Sequence, residues 1–160
     1  MDRRKGGPRI YILYDPSHHG LVPTMDIVFF HGLQPLSYTN AYRSTWSSKI
    51  PHGNNRGTGK VLWPRDWLHE SFPRARILSA SYDSRAVGGR RTLDDIAGNL
   101  VRELVEKARV GQRMGNAAGR RTTTVLVGHS LGGLVIKKIC LIAIGRTEEE
   151  VAYANLVRSI

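Results

Sequence analysis

The chain contains 160 residues, of which 41% are hydrophobic and 23% are charged, and its formal net charge is +11. This length fits one globular domain and is too short for two ordinary ones, and the composition excludes wholesale disorder. The single cysteine, Cys140, excludes an internal disulfide framework and any metal site built from several cysteines. No apolar run is long enough to span a bilayer as a helix, and no hydrophobic segment follows the basic tail of residues 1–8, so we expect no secretory signal.

The excess of basic residues has two interpretations, a solvated surface or a binding site for an acidic partner. The basic side chains are spread along the chain without interleaved aromatic residues, and no zinc-finger, RNP or helix-turn-helix pattern is present. We therefore favour a solvated basic surface and expect no nucleic-acid site. An anionic membrane surface stays open as a partner, because a strong positive field attracts acidic headgroups.

Three β-rich segments in the first half of the chain predict strands: Ile10–Tyr14, Met25–Phe30 and Arg76–Tyr82. The second of them is apolar on both faces, which is typical of a strand inside a covered, mostly parallel sheet. Residues 32–60 are polar and rich in Gly and Asn, and they predict a loop. Trp63–Leu68 can begin a helix, since Pro64 stands near its first turn.

From Thr92 onward the spacing of apolar residues becomes that of a helix. Thr92 is a good N-cap, with two aspartates in the first turn, and the helix is predicted to end near Val110. A strand, an almost wholly apolar helix and a last amphipathic helix are then predicted at Thr122–Val127, Leu131–Ile144 and Glu148–Ile160. This alternation predicts an α/β fold with a mostly parallel sheet and crossover helices on both faces.

The motif that carries chemistry is Gly128-His129-Ser130-Leu131-Gly132, followed by Gly133. It stands between a predicted strand and a predicted helix and matches G-x-S-x-G, the nucleophile elbow. In such an elbow the serine lies on a sharp, strained turn, so the residues two positions away must be small. Its hydroxyl then projects at a helix N-terminus, where the helix dipole favours developing negative charge. We predict Ser130 as a nucleophile; a phosphate-binding loop and a plain strand-to-helix turn are the alternatives.

A second candidate element is His31-Gly32-Leu33, which follows the most apolar strand. Hydrolases with a nucleophile elbow place a loop here that donates one N–H to the oxyanion, and the residue after the nucleophile donates the other. The second donor is therefore predicted to be the backbone N–H of Leu131. Taken alone, His31-Gly32 also fits an ordinary turn.

At these residues the chain resembles the α/β-hydrolase superfamily, and more narrowly the lipase-like serine esterases related to the serine active site-containing protein of eukaryotes. The same group includes hydrolase domains at the front of many fungal NACHT proteins. The resemblance covers about residues 9–160, as the N-terminal part of one domain. The segments that carry it are Asp26–Leu33, Thr45–Trp46, Leu62–Leu68, Phe72–Leu78, Tyr82–Asp83 and the elbow with Leu134–Lys138. The block Trp63–Leu68 is its most specific part, because the elbow is shared by the whole superfamily.

The resemblance implies hydrolysis of a lipid or acyl ester, with Ser130 as nucleophile and the backbone N–H groups of Leu33 and Leu131 as oxyanion donors. The elbow and the oxyanion loop are supported by His31, Gly32, Gly128, His129, Gly132 and Gly133. The resemblance also implies an intracellular protein, and mitochondrial or endoplasmic reticulum membranes are the locations that it suggests. We expect no cofactor and no metal.

The catalytic triad is incomplete in this sequence. In the fold the triad order is Ser, then Asp or Glu, then His, whereas all six histidines precede Ser130 and the only later acids are Glu148, Glu149 and Glu150. A serine without a positioned base is a poor nucleophile near neutral pH. We therefore expect a partial α/β-hydrolase, truncated on its C-terminal side and inactive as this chain alone. The alternative is a non-catalytic interaction or regulatory module with the same fold.

The expected truncation has a structural consequence at the strand before the elbow. A sheet that ends at this strand leaves it with an open edge and leaves the apolar helix after it half covered. Open apolar edges invite pairing with another chain. We therefore expect either self-association or a C-terminal region that completes the sheet.

Overall fold

The computed structural model describes residues 7–34, 40–50, 59–86, 92–112 and 122–144. The helix expected at Glu148–Ile160 and the basic residues of the N-terminal tail lie outside these ranges. The described residues form the strands β1 (Arg9–Tyr14), β2 (Met25–Phe30), β3 (Ser47–Ile50), β4 (Gly59–Leu62), β5 (Ala75–Ser81) and β6 (Thr123–Gly128). The helices are α1 (Ala41–Ser44), α2 (Trp63–Asp66), α3 (Leu68–Ser71), α4 (Leu93–Arg102) and α5 (Leu131–Ile144), and α4 continues in a π-helical turn, Glu103–Lys107.

Four of the strands form the main sheet, in the order β1-β5-β2-β6. β2 lies in the middle and pairs in parallel with both β5 and β6, whereas β1 pairs antiparallel with β5. The predicted α/β class with a mostly parallel sheet is therefore confirmed. The antiparallel direction of β1 departs from the purely parallel order that alternating elements suggest.

The two faces of the sheet carry separate cores, because successive side chains of a strand point to opposite sides. Val28, Phe30 and Leu78 contribute to a core with α4 and α5. Ile27, Phe29 and Ile77 face the other way and are covered by aromatic and aliphatic residues of the β3–β4 region, including Trp46, Leu62 and Trp63. Both faces of β2 are thus buried, which explains its unbroken apolar sequence.

The hairpin of β3 and β4 corrects one expectation. Residues 32–60 are predicted to be a loop, but Ser47–Ile50 pairs antiparallel with Gly59–Leu62. These strands have four residues each and are mostly polar, so they carry too little alternation for a pattern to detect. The hairpin is held to the sheet by Trp46 and Leu62, which are both buried.

α4 begins after Thr92 as predicted, and its π-helical turn ends at Lys107, slightly before the predicted end near Val110. Thr92 caps α4 in a capping box: its hydroxyl accepts the Asp95 N–H at 3.2 Å, and the Asp95 carboxylate accepts the Thr92 N–H at 2.8 Å. The predicted helix at Trp63–Leu68 is instead two short helices, α2 and α3. None of the helices that the structure describes is long and apolar enough to cross a membrane.

β6 is the edge strand of the main sheet and has β2 as its one partner in the described part of the chain. Val125, on β6 itself, is 38% exposed. On α5, Leu134 is 53% exposed and Leu141 is 62% exposed. The expected open edge and half-covered helix are therefore present within the described residues. The prediction that α5 is buried holds for one side of that helix.

We expect the chain to self-associate through the β6 edge, and Val125→Lys to weaken this association, because an edge lysine opposes pairing between strands. Light scattering coupled to size-exclusion chromatography measures the mass of each species. The matched control is Val22→Lys, at an exposed valine in the loop before β2, which should leave the mass unchanged. A wild-type chain that runs as a monomer at all concentrations would contradict the prediction.

Candidate active site

The two candidate segments meet at one edge of the sheet. β2 and β6 are parallel neighbours, and their last residues, Phe30 and Gly128, are register partners. The backbone N–H of His129, the first residue after β6, donates to the carbonyl of Phe30, the last residue of β2, at 3.0 Å. The segment 31–33 and the elbow at 128–132 therefore lie side by side at the carboxyl ends of parallel strands, where α/β folds place their ligands.

Ser130 occupies the strained position of the turn between β6 and α5. Its φ is +53°, which is uncommon for a residue other than glycine, and its side chain is exposed. The turn is closed by two hydrogen bonds, from Gly132 N–H to the His129 carbonyl at 2.9 Å and from Gly133 N–H to the Ser130 carbonyl at 3.0 Å. The backbone geometry that the motif predicts is present, and the role of Ser130 as nucleophile stays a prediction.

Three glycines permit backbone contacts that a side chain would block. A Cβ on Gly132 would lie 2.2 Å from the carbonyl oxygen of Phe30, and a Cβ on Gly128 would lie 2.7 Å from the nitrogen of Gly133. A Cβ on Gly32 would lie 2.9 Å from the Cβ of Ser130. The loop after β2, the elbow and the start of α5 thus approach each other at backbone distance.

His31 is completely buried, and both of its ring nitrogens have backbone partners. Nδ1 lies 2.8 Å from the carbonyl oxygen of Gly32, and Nε2 accepts the backbone N–H of Tyr82 at 3.3 Å. This pair of partners requires a neutral ring with its proton on Nδ1. Burial lowers the pKa of His31 from its ordinary value of 6.5, which also favours the neutral ring. His31 therefore supports the loop and is not free to act as the base for Ser130.

Tyr82 and Ser84, which the sequence did not single out for the site, hold the loop from the side of β5. The Tyr82 ring stacks on His31 with centroids 4.2 Å apart, and its hydroxyl donates to the His31 carbonyl. Ser84 Oγ accepts the Gln34 N–H at 2.9 Å. The signal that could have found them is position, because both follow β5, the parallel neighbour of the strand that ends just before His31.

The buried His31 predicts a pH dependence of stability. The pKa of His31 is lower in the folded chain than in the unfolded chain. As the pH falls just below 6.5, the unfolded chain therefore binds a proton on His31 before the folded chain does. The free energy of unfolding should decrease as the pH decreases, until the pH reaches the pKa of His31 in the folded chain. Above 6.5 the contribution is complete. Urea unfolding at a series of pH values should therefore give a steeper slope below 6.5 for the wild type than for His31→Gln.

The control for this measurement is His18→Gln, which replaces a histidine at an exposed position outside the loop at 31–33. Equal slopes for the wild type and His31→Gln would show that His31 does not titrate differently in the two states.

The predicted oxyanion donors lie on the two sides of the Ser130 turn. Leu33 follows Gly32, is 58% exposed, and its N–H has no acceptor among the described residues. The N–H of Leu131, at the first position of α5, also has none among them, as expected for a donor in the first turn of a helix. Their role as oxyanion donors stays a prediction.

Within the described ranges the Ser130 hydroxyl hydrogen-bonds no histidine and no carboxylate. The ring of His129 packs edge-on against Trp46, with centroids 6.3 Å apart. His19 and His69 stack on Tyr14, at the opposite end of the sheet from the elbow. The expectation that this chain lacks a base for Ser130 stays a prediction.

The remaining candidate chemistry is limited. No group of three His, Cys, Asp or Glu side chains among the described residues could hold a metal ion, and the expectation of no metal and no cofactor stays a prediction. Burial raises the pKa of the Cys140 thiol, which disfavours the reactive thiolate.

Comparison with known proteins gives one group of relatives. The chain is 28% identical over 155 residues to the protein SERAC1 of Bos taurus and to that of Danio rerio, and 26% identical over 162 residues to SERAC1 of Homo sapiens. These alignments cover 87–91% of the chain and 21–22% of the relatives, so the chain spans about a fifth of their length. No family model matches the chain, and no solved structure is significantly similar to it.

Proposed function

We propose that this chain is the nucleophile-bearing part of a serine hydrolase that cleaves an acyl ester, lipid-like in character. The observation that carries the proposal is the φ of +53° at Ser130, on a strand-to-helix turn packed against the loop after β2. Maintaining a non-glycine residue in this conformation costs about 1–3 kcal/mol, and such strain concentrates at functional sites. The similarity to SERAC1 proteins supports the same choice.

In the proposed reaction the Ser130 oxygen attacks the ester carbonyl and its proton passes to a base. The carbonyl oxygen becomes an oxyanion that accepts hydrogen bonds from the N–H groups of Leu33 and Leu131, at the N-terminus of α5. The tetrahedral intermediate collapses to an acyl-serine and releases the alcohol, which takes the proton. Water, deprotonated by the same base, then hydrolyses the acyl-serine to a carboxylic acid and free Ser130.

The proposal assigns the base and its acidic partner to residues outside the described ranges. No histidine follows Ser130 in this sequence, and His31 is used for support. The chain alone should therefore hydrolyse esters poorly. We also propose, from the family resemblance, an intracellular location at mitochondrial or endoplasmic reticulum membranes.

A fluorophosphonate probe tests the proposed nucleophile, because it forms a covalent bond with an activated serine. We expect slow labelling of the chain, complete loss of labelling in Ser130→Ala, and unchanged labelling in Ser71→Ala, at an exposed serine of α3. Mass spectrometry of the labelled peptide identifies the modified residue. Labelling that survives in Ser130→Ala would overturn the assignment.

A non-catalytic interaction module with a hydrolase-like fold is the second candidate. The absence of a base next to Ser130 among the described residues favours it. A folded chain that no fluorophosphonate labels, even in its longest available form, would support the module and contradict the hydrolase.

A further inference from the structure

A cavity of about 360 Å³ lies between the β3–β4 hairpin and the short helices α1 and α2. Besides Leu62, the residues that line it are Asn40, Arg43, Ser44, Ser47, Lys60 and Arg65. It contains no residue of the loop at 31–33 or of the elbow, so an inference about it does not depend on the proposed hydrolysis.

Three cationic side chains from three elements converge on this cavity. Arg43 belongs to α1, Lys60 to β4 and Arg65 to α2, and no acidic residue lines the cavity. Arg65 pairs with Asp66, whose Oδ1 lies 2.5 Å from its Nε. Arg43 and Lys60 are exposed and have no acidic partner in the part of the chain that the structure describes. Like charges around one concave surface raise its potential for an anion.

Neutral hydrogen-bond donors accompany these charges. The Asn40 side chain makes no capping hydrogen bond to α1, and Ser44 Oγ has no partner among the described residues. The hydroxyl of Ser47 is used, since it donates to the Arg43 carbonyl at 2.8 Å. The cavity therefore offers a guanidinium, an ammonium, an amide and a hydroxyl to one ligand.

We propose that this cavity binds the phosphate group of a small phosphate ester. Arginine presents paired N–H donors that match phosphate oxygens, and lysine adds a compact charge. A phosphate has enough anionic oxygens to engage several such donors at once, whereas a carboxylate has two. The volume of about 360 Å³ lies at the small end of the range of about 300–1,000 Å³ for ligand pockets, which fits a headgroup-sized molecule.

Titration of the full chain with inorganic phosphate and with glycerol 3-phosphate, followed by NMR or calorimetry, tests the proposal. We expect saturable binding of both probes, and the double variant Arg43→Gln/Lys60→Gln should weaken it by about 10-fold or more. The matched control Arg102→Gln/Lys137→Gln removes the same two charge types from exposed positions on α4 and α5 and should leave the affinity within about twofold.

A second variant adds charge instead of removing it. Asn40→Asp introduces a carboxylate into the cavity with almost no change of shape, and Asn and Asp serve equally well before a helix, so the fold should be retained. This variant should also weaken phosphate binding by about 10-fold. Circular dichroism and thermal melting confirm that each variant is folded before binding is compared.

The source of the phosphate is resolved by sedimentation with phosphatidylcholine vesicles that contain or lack phosphatidic acid. Selective loss of vesicle binding in the Arg43→Gln/Lys60→Gln variant assigns the cavity to a lipid headgroup, and loss equal to that of the control assigns it to a soluble phosphate ester. The proposal would be overturned if the wild type did not bind inorganic phosphate or glycerol 3-phosphate. It would also be overturned if the cavity variant and the control variant weakened the binding of these two probes equally.

Discussion

Replacing Gly132 with alanine should lower the free energy of unfolding by about 3 kcal/mol, a large part of the stability of a domain of this size. The new Cβ would lie 2.2 Å from the carbonyl oxygen and 2.8 Å from the carbonyl carbon of Phe30. Phe30 is fully buried and ends the central strand, which is paired on both sides, so this backbone has little freedom to move away. Relief would require α5 to shift away from β2, and this shift would displace Ser130.

Gly133 provides a matched control one residue further along α5. A Cβ on Gly133 would meet no atom within 4 Å. Alanine is favoured over glycine inside a helix by about 0.5–1 kcal/mol, so Gly133→Ala should stabilise the chain. Urea denaturation of both variants measures the two effects, and the prediction fails if they have the same sign.

Asp26→Asn should lower the free energy of unfolding by about 3–5 kcal/mol, because it leaves a buried guanidinium without its counterion. Asp26 is fully buried at the amino end of the strands, away from the candidate active site, and its Oδ1 lies 2.7 Å from Nε of Arg76. Its other oxygen accepts the Gly111 N–H at 2.9 Å and the Thr122 hydroxyl at 2.7 Å. The side-chain oxygen of an asparagine can still accept hydrogen bonds from some of these donors. Its NH₂ group, however, takes the place of the other carboxylate oxygen and there faces another donor instead of offering it an acceptor.

Arg76 connects the same network to the end of the π-helical turn. Its Nη1 donates to the carbonyl of Ala108 at 3.0 Å and its Nη2 to that of Arg109 at 3.3 Å. Arg109 has a φ of +52°, so the ion pair also holds a strained turn between α4 and β6. Loss of the pair should therefore loosen the connection that brings β6, and with it the elbow, to its place beside β2.

The control for Asp26→Asn is Asp94→Asn, which makes the same chemical change at the surface. Asp94 pairs with Lys138 at 2.5 Å, but its side chain is 64% exposed, and exposed pairs contribute about 0–1 kcal/mol. Thermal or urea denaturation compares the two variants. A loss for Asp26→Asn no larger than that for Asp94→Asn would contradict the assigned role of the buried pair.

The elements that were predicted well are those whose signal is local. β2 and α5 begin and end at the predicted residues, because an apolar segment between turn residues specifies both its type and its limits. The Thr92 cap was predicted because its partners lie within one helical turn. The strained turn at Ser130 was also predicted, since the residues that permit it are adjacent in the chain.

The support of the candidate site was outside the reach of sequence patterns. The β3–β4 hairpin has too few apolar residues for a periodic signal, and the contact of Tyr82 with His31 joins residues 51 positions apart. The cavity that carries Arg43, Lys60 and Arg65 is lined jointly by α1, the hairpin and α2, so it depends on how these elements fold together.

The sequence by itself determined the α/β class and the strained strand-to-helix turn at Ser130. These features depend on residue type and on short spacings, which are visible in one chain. The tertiary structure alone decided that His31 is a neutral supporting residue, that β1 runs antiparallel, and that Asp26 and Arg76 form a buried pair. Each of these depends on which strands become neighbours, and strand order is set by the packing of the whole sheet rather than by any local segment.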